Sequence, residues 1–164
     1  MKEGFIFSFQ HFLNRFPETE LPVTLSEDTL SDFNLYNEPI TEALSRQFIE
    51  RYEKELPDEF TEYVPCLKVP GTKVFHALVY WKAGLMTYEY ILATYTPAGL
   101  LIDKKPIAGT IFDGHEVKKS VATITEGPQV VGVEGIVPLD GKEFSAASSK
   151  SYLVLLKEDG KIVI

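Results

Sequence analysis

Residues 112 to 116 read Phe-Asp-Gly-His-Glu. Asp113, His115 and Glu116 set two carboxylates and an imidazole into four positions, the donor types of a metal site or an acid-base centre. A geometric demand competes for the same residues. Asp-Gly is a strong hairpin signal, because glycine accepts positive φ and aspartate caps the turn with its own carboxylate. On that reading Phe112 leaves one strand and Val117 enters the next. His115 and Glu116 then diverge, since consecutive strand residues point to opposite faces. A structural turn is the leading assignment, a surface interaction site comes next, and metal or acid-base chemistry at Asp113 and His115 comes last.

Other chemistry has few residues to draw on. A nucleophilic triad needs a Ser or Cys, a base within reach and an orienting carboxylate. Cys66 and His76 are the one Cys-His pairing, because a hairpin turning at Pro70-Gly71 sets their strands side by side. Symmetry about that turn puts Cys66 opposite Val74 or Phe75, one position away from His76, and a buried thiol beside a half-exposed imidazole is the plainer outcome. His11, His76 and His115 are the only histidines, and none sits in a zinc-binding spacing. Gly127, Gly132 and Gly135 fall in strand-like and turn-like sequence and not at a strand-to-helix junction, so they make no phosphate cradle. No cofactor is expected.

The elements that must position these residues change character along the chain. Phe5, Phe9, Phe12, Leu13 and Phe16 form one helical stripe that stops before Pro17. Leu21 to Leu25 is a short extended piece, and Ser26 with Thr29 starts a brief helical turn. Asn37 reads as the N-cap of a further helix with Pro39 in its first turn, apolar at Ile40, Ala43, Leu44 and Phe48 and ended by Pro57. From Tyr63 onward the periodicity becomes that of strands: 63–69, 73–82, 85–96, 100–107, 117–125, 130–137, 152–157 and 161–164. Most connectors are two to five residues long, too short for a parallel crossover, so sequence neighbours pair antiparallel as a meander. In 85–96 neither face is plainly polar, as expected if helices cover one side and the tyrosine hydroxyls of the other reach water. Asp140 to Ser151 reads as a connecting loop.

Composition sets the outer bounds. The 164 residues, 45% hydrophobic and 24% charged, suit a single domain, with a helical part at about 1–60 and a β-rich part at about 61–164. The formal charge of −8 disfavours nucleic acid and anionic lipid, whose binding draws on clustered Lys and Arg. It favours a basic partner, solubility being the simpler explanation. One cysteine excludes an internal disulfide and fits a reducing compartment. No window approaches a membrane span, and the N-terminal segment lacks the pattern of a secretory signal, so a cytoplasmic location is expected.

Phe16-Pro17 and Leu21-Pro22 form an F-P-x-x-x-L-P element, and Gly99-Leu100-Leu101-Ile102-Asp103 follows a tyrosine-rich strand. In these respects the chain resembles small bacterial proteins of unassigned activity that open with that element. The resemblance implies an α+β fold with an antiparallel sheet and transfers no catalytic residue. The expectation is therefore an α+β protein whose N-terminal helices pack on a twisted antiparallel meander. Its expected role is non-catalytic: binding a protein partner, one version being an acidic inhibitor or immunity-type protein that presents carboxylates to a basic target. The alternative is a small-molecule binding protein or enzyme with a pocket between helices and sheet, lined by His76, Trp81, Tyr88 and Tyr90.

Overall fold

The computed structural model describes residues 2–55, 57–112, 114–138 and 149–164. In chain order come helix α1 (Lys2–Leu13), strand β1 (Val23–Leu25), helices α2 (Leu30–Tyr36) and α3 (Glu42–Phe48), and a 3-10 turn (Glu50–Tyr52). Strands β2 (Glu62–Lys68), β3 (His76–Ala83), β4 (Thr87–Tyr95), β5 (Leu101–Phe112) and β6 (Glu116–Thr125) follow. Strands β7 (Gln129–Pro138), β8 (Lys150–Leu156) and β9 (Ile162–Val163) complete the chain. From β2 to β9 each strand pairs with its sequence neighbour, as short connectors require, and β1 adds to β6. Every strand pair is antiparallel.

The aromatic stripe of α1 finds its partner on β3 and β4. Phe9 and Phe12 are fully buried, with ring centroids 5.3 and 5.0 Å from that of Phe48 on α3. Beneath them lie Leu78, Tyr80, Ala93 and Tyr95. Each such side chain contributes about 2–3 kcal/mol by leaving water, which outweighs the weak preference of a short isolated helix. The Tyr95 hydroxyl donates to the carbonyl of Phe48, satisfying an acceptor that the end of α3 leaves open.

The opposite face of the same strands enters a second core. Ala77, Val79 and Trp81 of β3 and Tyr90 and Leu92 of β4 meet side chains drawn from every other strand, among them Leu25, Leu67, Ile107, Ile124, Val130, Val154 and Ile162. Burial on both faces explains why β4 reads as apolar throughout. The Tyr90 hydroxyl, expected to reach water, instead donates to the Ser26 carbonyl at 2.6 Å and lies 3.0 Å from Thr29 Oγ1. The loop between β1 and α2 covers it.

Both margins of the sheet are closed by specific groups. Along β2, Lys68 N–H donates to Pro17 O at 2.8 Å and Glu18 forms a parallel bridge to Lys68. Pro65 has no N–H to offer the ladder, and register slips there, leaving Cys66 unpaired between Pro65 opposite Tyr80 and Leu67 opposite Val79. Asn37 Nδ2 donates to the carbonyls of Pro65 (2.7 Å) and Cys66 (2.8 Å). At the far margin Ile162 N–H donates to Asp103 Oδ2 at 2.8 Å, and the Tyr152 hydroxyl donates to Ile107 O at 2.6 Å, so β8 and β9 are tied back to β5. Gly132, opposite Tyr152, makes the second tie possible: a Cβ there would run into the tyrosine ring.

Several boundaries differ from the sequence reading. Asn37 does not cap a new helix; its N–H closes the end of α2 on Phe33 O. Glu38 precedes a proline, which biases it away from helical backbone. The cap of α3 is Thr41, whose hydroxyl accepts from Leu44 N–H at 3.2 Å. That helix stops at Phe48 and does not run to Pro57, because Ile49 leaves the helical region (φ −121°). Strand β5 continues past residue 107 to Phe112, and β8 starts at Lys150, inside the segment read as a loop. The remainder of that segment, 140–148, lies outside the described residues. Among the described residues no helix is long and apolar enough to cross a membrane.

Candidate interaction face and cleft

β6 has a buried side that changes phase along its length. Val117 is buried near its start, whereas Ala122 and Ile124 are buried further on. Past Ser120 the odd positions of β6 therefore face outward, and pairing carries that face across the neighbouring strands. Val121 lies opposite Val133, Val131 opposite Leu153, and Leu155 opposite Val163. All six are between 42% and 47% exposed. Scattered exposed aliphatics are ordinary, but cross-strand rows of them form one surface. On its flank Thr24 of β1 and Thr123 of β6 share a hydroxyl-hydroxyl hydrogen bond of 2.9 Å.

Sequence alternation could have located this face. The runs Val-Val-Gly-Val at 130–133 and Leu-Val-Leu-Leu at 153–156 place apolar residues at successive positions, which buries one set and leaves the other outside. Periodicity alone does not say whether a second layer exists to cover the other side.

A cleft of about 260 Å³ opens where β5, β6 and β8 approach one another. Ile107, Ile111 and Val154 supply apolar wall, and Glu89, Lys118 and Glu134 supply charge. Lys118 Nζ and Glu134 Oε2 pair at 3.1 Å. Burial, aided by the neighbouring Glu53 and opposed by Lys82, raises the Glu89 carboxyl above its ordinary range. Close by, Glu53 is held by Lys82 at 3.2 Å and Lys104 at 3.0 Å. The chain also has an open basin of about 800 Å³ between turns, bordered by Glu18, Glu20 and Glu126.

The residues singled out from sequence fall in three places. Trp81, Tyr88 and Tyr90 do come together: the Trp81 ring stacks on Tyr88 at 5.9 Å and meets Tyr90 edge-on at 4.9 Å. Trp81 and Tyr90 are buried in the core, and Tyr88 is half-buried. His76 is on the other face of β3, its ring 5.8 Å from that of Phe9, and its pKa is lowered by burial and by Lys68. His115 is exposed beside Gly114, whose φ of 95° makes the turn between β5 and β6. Asp113 lies outside the described residues.

His115 does not meet the other histidines. His76 pairs with Tyr95 at one end of β4, and the β5–β6 turn lies beyond Thr87 at the other. His11 packs against the Phe7 ring at 4.6 Å on α1. Among the described residues no three His, Cys, Asp or Glu side chains gather in a metal-binding group. Cys66 points into the strand core away from His76, its Sγ 3.5 Å from Val64 O, and burial pushes its thiol far up, so the two form no dyad.

Compared with protein-family models, with curated proteins and with solved structures, the chain finds no match.

Proposed function

We propose that this is a non-catalytic binding protein whose working surface is the outward face of β6, β7, β8 and β9, where it receives an apolar, uncharged surface of a protein partner. The observation that carries the reading is the set of paired aliphatic rows left 42–47% exposed across neighbouring strands. Removing them from water gains about 25 cal/mol per Å² of apolar surface. The acidic-inhibitor version would instead use the basin bordered by Glu18, Glu20 and Glu126. The apolar face is favoured over it because exposed carboxylates lose little by staying in water.

The test is site-specific photo-crosslinking in native lysate at physiological salt, from Val133 on the face and from Val74 in the β2–β3 connection. A protein crosslinked from Val133, not from Val74, and lost when Leu153→Lys is added supports the reading. Crosslinks equal at both positions, or none from Val133, overturn it.

A second reading has its own observation. Glu89 is half-buried in a cleft with apolar walls and forms no hydrogen bond or ion pair among the described residues. A carboxyl so placed gains from a small ligand carrying a donor, and titration of candidate ligands against wild type and Glu89→Gln tests that gain.

A further inference from the structure

We infer that the occupant of the β6–β9 face is a second copy of this chain, packed face to face as the second layer of a β-sandwich. The inference rests on the reading above and narrows its partner.

Charge is the first argument. The chain carries 24 acidic against 16 basic residues, so two copies repel over most orientations. The face is exempt. From Val121 to Thr125, from Gln129 to Val133, from Ser151 to Leu155 and at Val163, every outward position is uncharged. A two-fold arrangement on this surface brings no carboxylate of the strands against another.

Shape is the second. Strands lie about 4.8 Å apart, and packed sheets interdigitate side chains about 10 Å apart. Rows of Val and Leu with that spacing are complementary to themselves, which is what an isologous interface requires. At 42–47% exposure the six aliphatic side chains leave on the order of 450 Å² uncovered per copy, and the flanking Thr, Gln and Ser positions add to it. A standard stable interface takes about 800 Å² from each partner.

The third argument weighs against the rival route to self-association. Strand addition needs a free edge. Here β2 is bordered by Pro17, Glu18 and Asn37, and β9 is tied through Ile162 to Asp103. With β2 and β9 engaged at these points and β1 only three residues long, the face is the broader surface of the sheet for association.

Sedimentation equilibrium of the full chain across the micromolar range tests the proposal, with Leu153→Lys and Val131→Lys on the face and Val74→Lys as control, all at exposed positions. The expected result is a wild-type dimer, weakened at least about 30-fold by either face substitution and unchanged by the control. Ser151→Arg, at an exposed polar position on the same face, provides the measurement if a lysine in an apolar row unfolds the chain. A dimer indifferent to all face variants overturns the inference, as does a wild-type monomer throughout. In the monomer case an apolar dye that binds wild type and not Leu153→Lys leaves the general binding reading standing, and a dye that binds neither removes both.

Discussion

Gly132→Ala is the substitution whose cost follows most directly from the structure. The added methyl collides with the Tyr152 ring, which lies across the glycine and sends its hydroxyl to Ile107 O at 2.6 Å. If the ring swings away, that hydrogen bond is lost, at about 1 kcal/mol, together with ~1–2 kcal/mol of half-buried ring. If the ring stays, the strands must shift, and overpacking costs about 1–3 kcal/mol. The two routes bracket a loss of about 1–3 kcal/mol, which for a domain of this size lowers Tm by ~2–12 °C. Urea denaturation of Gly132→Ala, Tyr152→Ala and the double variant measures it. In the Tyr152→Ala background the collision is gone, and Gly132→Ala should be neutral or slightly stabilising, because alanine loses less backbone entropy than glycine. Equal losses in the two backgrounds would show that Tyr152 is not what requires the glycine, and the account of how β8 is tied to β5 would fail with it.

Three further outcomes are expected. Asn37→Ala leaves the carbonyls of Pro65 and Cys66 without their side-chain donor and should cost about 1–3 kcal/mol in a denaturation experiment, whereas Asn14→Ala on the surface should cost under about 0.5 kcal/mol. Cys66, buried with its thiol pushed up, should resist a chromogenic disulfide reagent at pH 8 until denaturant is added; stoichiometric labelling of the native protein within minutes would contradict its placement. Glu89 has a folded-state pKa above its ordinary 4.5, so the folded form holds a proton that the unfolded form has released. Stability therefore falls as pH rises from 4.5 through the folded value, and Glu89→Gln should flatten that limb of the stability-pH curve. An unchanged slope would refute the assignment.

The sheet was readable in the sequence because its signals are local. Turn residues at Pro70-Gly71, Asp113-Gly114 and Gly127 separate β-branched runs, and short connectors leave antiparallel neighbours as the remaining choice. The α1 stripe was readable for the same reason. Asn37 misled because a capping residue before a proline looks like a helix start, while its actual work is done 28 residues away at the bulge in β2. Trp81 and Tyr90 were singled out as pocket lining because aromatic residues suit both pockets and cores. The second core, which decides between the two, depends on β6 to β9 folding back over β3 and β4. The apolar face was hidden by the same uncertainty, since a strand apolar on both sides does not announce which side lacks a cover.

The pairing of β1 has a consequence for the order in which the chain acquires its shape. Thr24 meets Thr123 across 99 residues of sequence, whereas each hairpin of the meander joins strands made one after the other. As the polypeptide leaves the ribosome, hairpins from β2 onward can form as they emerge, but β1 has no partner until residues 122–124 are made. It then closes a loop whose entropy cost exceeds that of any two-to-five-residue turn in the sheet. The first strand synthesised thus waits for the sixth, and Leu25 stays uncovered until β1 docks on it. Pulse-labelled hydrogen exchange should find the amides of Val23 to Leu25 protected after those of β3 and β4.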